Sequence, residues 1–392
     1  MSRVAGIFSA GVVLAVFLGS AATGRSADKP AGDAAPAGKP ADGAAPAAKP
    51  QPKKQLSPAM TELRDRVRQT LGGVYQQPFN TGQSSISDVI QFCRAFGCQS
   101  EIHEDGPTGQ KVNGITCLCW NHPCGGREPL MVSEGHLAAR VGYGYQEAPS
   151  QLAAMLALSR VPAEYPARAG DHVRTVADLI ENEKLACRSG RDFSLKLVAL
   201  AYYVSEPTWK NSLGEEWSVE RMVREEMKQS LGQVPQAAVA RLLAFSWALE
   251  QRSRQKLPVE GDFIAARKYV QQCQDYVLAT ENSDGSWGRA GRDPASALAS
   301  TAGVLEWLVL SLPAARLEDP KIVQSIQFVS GALRAERYQW NLPSLSSQEV
   351  AVTMAAAHAL FSYDAQVFAP ADAPAAAPAA KQAAAKAGNV DR

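Results

Sequence analysis

Two neighbouring stretches of the chain decide the fold class. The first, DFIAARKYVQQCQDYVLAT at residues 262–280, has one apolar stripe at helical spacing and a charged opposite face. The second, LASTAGVLEWLVLSL at residues 298–312, is apolar nearly all round. An amphipathic helix lies at a surface, whereas a helix that is apolar on every side must be buried. The pair therefore predicts a hairpin of one outer and one inner helix.

The same alternation runs through the rest of the chain. Amphipathic segments of the outer kind also occupy 172–187, 217–229 and 319–334, and apolar segments of the inner kind also occupy 151–160, 193–204, 239–250 and 349–361. Segments 58–71 and 85–96 supply one more hairpin. Tandem helical hairpins are typical of repeat architectures. No apolar–polar alternation is long enough to predict a sheet.

The inner segments are too apolar for a linear solenoid, in which one side of each helix stays open. They also recur at an irregular spacing of about 40 to 60 residues, looser than most solenoid repeats. Inner helices of this kind suit a closed barrel in which they surround an axis. The sequence thus predicts an all-α fold, an α/α toroid over residues 57–368, with a Cys-rich loop region at 93–147.

A distinctive turn follows the first of the two stretches. Asp284 and Gly285 allow a positive φ, and Trp287 is placed to fold back and seal the hairpin. With Arg267-Lys268-Tyr269-Val270 upstream and an apolar helix downstream, this D-G-x-W turn resembles the repeat of terpenoid cyclases and protein prenyltransferases. In that repeat the outer helix ends in a Gln, where this chain has Glu281.

The resemblance implies an α/α toroid over about residues 131–364, with Tyr338-Gln339-Trp340 as a degenerate second copy of the turn. It does not extend to the catalytic motifs of these families. The chain has no D-x-D-D cluster, no Asp-rich diphosphate motif and no Asp-x-Cys partner for a zinc-binding His. Cys124-Gly125-Gly126-Arg127 is similar to the thioester motif of complement-like toroids, but Arg127 stands where the acylated Gln must be. Fold resemblance alone therefore lends no reaction.

Five polar side chains interrupt the inner segments: Lys196, Arg241, Glu306, Glu349 and His358. Buried charges are costly unless paired, so each one either pairs or faces a wet axial cavity. In the second case Glu306, His358 and Glu349 are candidate catalytic acids and bases, and Lys196 is a candidate ligand contact. In the first case they cap helices, form pairs or reach out at helix ends.

Five of the seven cysteines fall within 32 positions: Cys93, Cys98, Cys117, Cys119 and Cys124. Their spacing lacks the paired C-x2-C of a zinc ribbon. In an exported protein it favours two disulfides that staple a loop insertion, with a zinc site as the alternative. No other cofactor is predicted. Trp120, Tyr143 and Tyr145 lie in the same turn-rich region. They are candidates either to bind a ligand at the barrel mouth or to pack the loop.

Both ends of the chain differ in composition from the centre. Arg3 and the apolar run at 4–18 precede small residues, which predicts a signal peptide at 1–27 or, alternatively, an uncleaved anchor. Residues 28–56 and 369–392 are rich in Ala, Pro and Lys and predict a disordered linker and tail. We expect an exported protein of a bacterial periplasm or cell envelope, or a secreted one, without a transmembrane span after cleavage.

Charge and motifs together set the functional expectation. The chain has 40 basic and 39 acidic residues, a balance that disfavours nucleic acid as a partner. The favoured hypothesis is a non-catalytic binding or interaction protein of the cell envelope, whose partner is an unknown protein, glycan or apolar ligand. The alternatives are a terpenoid-cyclase-like enzyme and a polysaccharide lyase or hydrolase. The latter needs paired carboxylates, for which Asp284, Glu306 and Glu349 are candidates.

Overall fold

The computed structural model describes residues 56–229, 235–288, 293–335 and 345–368. The helices are α1 (Pro58–Tyr75), α2 (Ile86–Phe96), α3 (Gly114–Cys119), α4 (Gln151–Leu158), α5 (Val176–Leu185), α6 (Ser194–Tyr203), α7 (Val219–Lys228), α8 (Pro235–Arg254), α9 (Asp262–Ala279), α10 (Pro294–Ser311), α11 (Pro320–Arg334) and α12 (Ser347–Tyr363). The predicted signal peptide, the linker as far as residue 55, the tail and the second turn at 338–340 lie outside the described residues.

Short antiparallel strand pairs connect some of these helices. They are β1 (Glu101–His103) with β2 (Lys111–Asn113), β3 (Leu130–Ser133) with β4 (His136–Ala139), β5 (Pro166–Ala169) with β6 (His172–Thr175), and β7 (Trp209–Lys210) with β8 (Glu216–Trp217). The described chain is therefore mostly helical, which confirms the prediction at the level of fold class.

Helix starts carry clear local signals. Ser85 and Asp88 form a capping box at the start of α2, and α12 has the same arrangement with Ser346 and Glu349. At α10 the Asp293 side chain accepts hydrogen bonds from two backbone amides, and a proline occupies the first helical position. These caps satisfy amides that have no partner inside the helix.

The two predicted helix kinds differ in burial. In α6 the residues Ser194, Lys196, Leu197, Val198, Ala199, Leu200 and Ala201 are buried, so the helix has almost no exposed face. In α7 the buried residues are Met222, Val223 and Glu226, and the other residues of the helix are partly or fully exposed to solvent. This contrast is the one that the sequence pattern predicts for inner and outer helices.

The apolar helices contact one another in a circuit. Helix α2 packs against α4, α4 against α6, α6 against α8, α8 against α10, and α10 against α12, which packs back against α2. The amphipathic helices lie on these, with α5 on α6, α9 on α8, and α11 on both α10 and α12. The apolar core is therefore shared by segments from both ends of the described chain.

The strand pairs are the main difference from the prediction. Residues 172–175, at the start of a predicted helix, form β6 instead, because Gly170 at φ 57° turns the chain so that they pair with β5. Similarly, the β3–β4 pair lies beside α5, where Leu137 N donates to Asp178 at 2.8 Å. Strands of two to four residues are too short for an alternating pattern to show in the sequence.

Candidate functional site

A groove of about 470 Å³ opens where α2 and α12 begin. Its walls come from four separate segments: the turn into α2, the loop after α3, the loop between β4 and α4, and the first residue of α12. The lining residues are Gln83, Ser85, Ser87, Cys124, Gly125, Arg127, Gly142, Tyr143, Gly144, Tyr145, Glu147 and Ser347. Most of these belong to the predicted Cys-rich region.

Arg127 and two tyrosines form the most exposed wall of the groove. The guanidinium carbon of Arg127 lies 5.6 Å from the ring centre of Tyr143 and 5.3 Å from that of Tyr145. Arg127 Nη1 also donates to the carbonyl of Tyr143. The Tyr143 residue is 92% exposed although its ring is held by this cation–π contact. A large aromatic side chain beside Arg127 is thus exposed to solvent.

The loop that carries these tyrosines depends on glycine. Gly144 has φ 79°, and a Cβ there would lie 2.9 Å from the Arg127 guanidinium. The loop is closed by hydrogen bonds from Gly142 N to Gln146 O at 3.0 Å and from Tyr145 N to Gly142 O at 2.9 Å. Any other residue at 144 would displace Arg127.

The floor of the groove is tied to α4. Gln151 Nε2 donates to Ser87 Oγ at 3.2 Å, and the Gln151 amide oxygen accepts from Glu147 N at 3.0 Å. The Glu147 side chain itself is exposed. The buried Gln151 amide thus links α4 to the Ser87 side chain on α2 and to the Glu147 backbone in the loop before α4.

A second polar cluster joins α2, α10 and α12. Glu306 accepts from Arg94 Nη2 at 2.5 Å and contacts His358 Nδ1 at 2.6 Å, and its side chain is only 2% exposed. Burial alone would raise the pKa of Glu306, but Arg94 and His358 outweigh it and hold the pKa below its usual value. The structure thus brings two of the predicted acid–base candidates together, around a carboxylate kept ionised.

The other candidate carboxylates have separate local partners. Glu349 Oε2 accepts from Ser346 N and Oγ at the start of α12, as a capping residue does. Asp284 accepts from Ser286 N and Oγ, and these hydrogen bonds lower the pKa of Asp284. Asp284 and Glu349 therefore stabilise local structure, and neither they nor Glu306 line the groove.

Lys196 is paired between two helix layers instead of facing a groove. Its Nζ lies 2.6 Å from Glu183 Oε2 on α5 and donates to the Glu183 carbonyl at 2.9 Å. Arg241 makes the corresponding contact, with its Nε 2.7 Å from Glu226 Oε1 on α7. Lys196 and Arg241 each form a buried ion pair, which is one of the two roles that the sequence left open for them.

The D-G-x-W turn lies between α9 and α10. Trp287 is 5% exposed, its Nε1 donates to Val277 O at 2.9 Å, and its backbone N donates to Thr301 Oγ1 at 3.0 Å. Gly285 has φ 84°, and a Cβ there would lie 2.6 Å from Gln324 O on α11. The turn residues therefore connect three helices.

All seven cysteines are free thiols, which differs from the two predicted disulfides. Cys98 Sγ donates to Ser159 O at 3.4 Å, and Cys93 Sγ accepts from Ser100 Oγ at 3.4 Å. The thiols of Cys117 and Cys124 form a hydrogen bond with each other. Cys117 and Cys119 are two residues apart on α3, so their side chains point to different faces of the helix. The five cysteines fill a compact core between α2 and α3.

Sequence reasoning missed several functional residues. Arg94 could have been found as the only basic charge of the segment 85–96, whereas Gln83, Glu147 and Ser347 give no local signal. Of the three aromatic candidates, Tyr143 and Tyr145 line the groove. Trp120 does not, since it is half-buried at the C-terminal end of α3.

Comparisons with known proteins leave this geometry as the only guide to function. No protein-family model, no curated protein and no solved structure matches the chain. Among the described residues, no three His, Cys, Asp or Glu side chains are placed to hold a metal ion. Within the same residues, no helix is both long and apolar enough to cross a bilayer.

Proposed function

We propose that this chain is an exported, non-catalytic binding protein of the cell envelope, built as an α/α toroid. The circuit of contacts from α2 to α12 and back to α2 supports the closed barrel. In such a barrel the starts of α2 and α12 belong to one mouth, so the groove that Tyr143 overhangs is the binding site. Loops held over a rigid scaffold are where ligand contacts concentrate in proteins.

The state of the carboxylates supports binding over catalysis. A glycosidase needs one carboxylic acid with a raised pKa opposite a second carboxylate. Here the pKa values of Glu306 and Asp284 are both lowered, and Glu349 caps a helix. Burial raises the pKa of Glu281, but its Oε1 accepts from Ser325 Oγ on α11 at 2.8 Å, and Glu281 does not line the groove. One observation carries the proposal: the exposed Tyr143 lines the groove, whereas Asp284, Glu306 and Glu349 have structural partners outside it.

A panel of ligand classes tests the proposal: neutral polysaccharides, acidic polysaccharides, short peptides and fatty acids. We expect one class to bind the wild-type protein, and its affinity to fall about tenfold in Tyr143→Ala. Tyr276→Ala is the matched control, because Tyr276 is 43% exposed on α9 and does not line the groove. Binding that ignores Tyr143, or turnover of a panel member, would contradict the proposal.

A second candidate function rests on the contact between Glu306 and His358. A carboxylate on Nδ1 orients an imidazole so that Nε2 can act as a general base, as in catalytic triads. Such an enzyme would turn over a substrate at a rate that falls in His358→Gln, while the variant stays folded by circular dichroism.

A further inference from the structure

We propose that the ligand of the groove is a neutral glycan, bound by stacking of a sugar ring on Tyr143 and by hydrogen bonds to the polar groups below it. This inference rests on the proposed function, since it names the ligand class of the same site. It depends on three properties of the lining: the aromatic wall, the mixture of donors and acceptors, and the charge balance.

The aromatic wall suits the face of a pyranose. Tyr143 is 92% exposed, so a ligand can reach its ring without any rearrangement of the fold. The C–H face of a sugar ring is flat, weakly apolar and of similar size to a phenol ring. The Arg127 guanidinium carbon lies 5.6 Å from the centre of the same ring, so a sugar stacked on Tyr143 would also lie near this donor.

The polar groups match hydroxyls. A hydroxyl both donates and accepts, so a site for many hydroxyls needs both kinds of partner. Arg127 only donates, an ionised Glu147 only accepts, and the Gln83 amide can do both. All three are planar groups with two adjacent polar atoms, an arrangement that can bind two neighbouring hydroxyls of one sugar.

The charge balance favours a neutral ligand over an ionic one. The lining has one cationic side chain, Arg127, and one anionic side chain, Glu147. The charge of Arg127 is already shared between two aromatic rings. An acidic polysaccharide would be repelled by Glu147, and a fatty acid would leave the polar lining unsatisfied. The volume of about 470 Å³ falls in the range of small-ligand sites.

Affinity electrophoresis of the purified full-length protein tests this inference. The native gels contain no additive, a neutral polysaccharide (hydroxyethyl cellulose, galactomannan or glycogen) or the acidic polygalacturonate. We expect at least one neutral polysaccharide to retard the wild-type protein and polygalacturonate not to do so. Tyr143→Ala should weaken the affinity about tenfold, as expected for the loss of an aromatic contact. Tyr276→Ala should migrate as the wild type.

The outcomes separate the two proposals. Retardation by polygalacturonate alone, or Tyr143-dependent binding of a peptide or fatty acid, would overturn the neutral glycan but keep the binding groove. Retardation by a neutral polysaccharide with the same affinity in Tyr143→Ala as in the wild type would place the glycan elsewhere and overturn the inference. If no class binds through Tyr143, both proposals fail.

Discussion

Glu306 shows how a single buried charge is kept in an apolar helix. Moving a carboxylate out of water costs several kcal/mol unless partners replace the lost hydration. Arg94 and His358 supply those partners from two other helices. Glu306, Arg94 and His358 thus stabilise one another, and this structural role of His358 is independent of any catalytic role.

Removing the charge of Glu306 should therefore destabilise the fold. We expect Glu306→Gln to lower the free energy of unfolding by ~3 kcal/mol, because it leaves Arg94 without its anion. Urea unfolding followed by circular dichroism measures the change. Glu250→Gln is the control: its partner Arg254 is 2.6 Å away but 47% exposed, so we expect a loss below ~1 kcal/mol. Equal losses of unfolding free energy in the two variants would show that the buried cluster stabilises the fold no more than an exposed ion pair does.

The same carboxylate predicts a pH dependence. Its folded-state pKa lies below the ordinary value of 4.5. The ionised form therefore contributes stability that is complete above the unfolded-state pKa of ~4.3 and is lost as the pH falls from there through the folded-state pKa. In urea titrations, the difference between wild type and Glu306→Gln should narrow below about pH 4.3. A constant difference down to pH 3 would contradict this assignment.

At the scale of helices, two outer helices are joined to their inner neighbours in the same way. Glu183 on α5 accepts from Ser150 at the start of α4 and pairs with Lys196 on α6. Glu226 on α7 accepts from Phe193 N at the start of α6 and pairs with Arg241 on α8. Each carboxylate thus links an outer helix to the inner helices before and after it.

Because of this arrangement, we expect Glu226 to contribute far more to the stability of the fold than its neighbour Glu225. Glu226 is fully buried, and Glu226→Ala should cost ~3–5 kcal/mol because Arg241 and the Phe193 amide lose their acceptor. Glu225 pairs with Lys228, whose side chain is 61% exposed, and Glu225→Ala should cost less than ~1 kcal/mol. Thermal or urea unfolding of the two variants side by side makes the comparison. Similar losses would mean that the pair does not join the layers.

We expect Trp287 to contribute a comparable free energy to the stability of the α9–α10 hairpin. We expect Trp287→Ala to cost ~3 kcal/mol or more, because it removes a large ring from a buried site. Trp287→Phe keeps most of the ring but loses the hydrogen bond to Val277, so its loss in urea unfolding should be smaller. An unchanged midpoint in Trp287→Ala would contradict the role of the D-G-x-W turn as a seal.

For the whole molecule, the proposed closed barrel depends on the contact between α12 and α2. Arg68 on α1 also pairs with Asp364, just after α12, at 2.8 Å. Small-angle scattering of the segment 56–368 should give a radius of gyration of roughly 20 Å, the value for a compact domain of that length. An open stack of hairpins would give a clearly larger value and would contradict the proposed toroid.

The sequence by itself determined the helices and their two kinds. Predicted segments such as 262–280 and 319–334 agree closely with α9 and α11, because hydrophobic periodicity depends on neighbours within a few turns. It also identified Glu306, His358, Tyr143 and Tyr145 as residues of interest. It could not show the strand pairs, which are too short to carry a pattern.

Only the tertiary structure decided which side chains meet. Arg94 and Glu306 are 212 positions apart, and the groove takes residues from segments as distant as Gln83 and Ser347. Such contacts depend on how helices pack across the core, and no local spacing encodes them. A buried polar side chain forms a structural pair at Lys196 and is a candidate base at His358, and the neighbours that packing supplies make the difference.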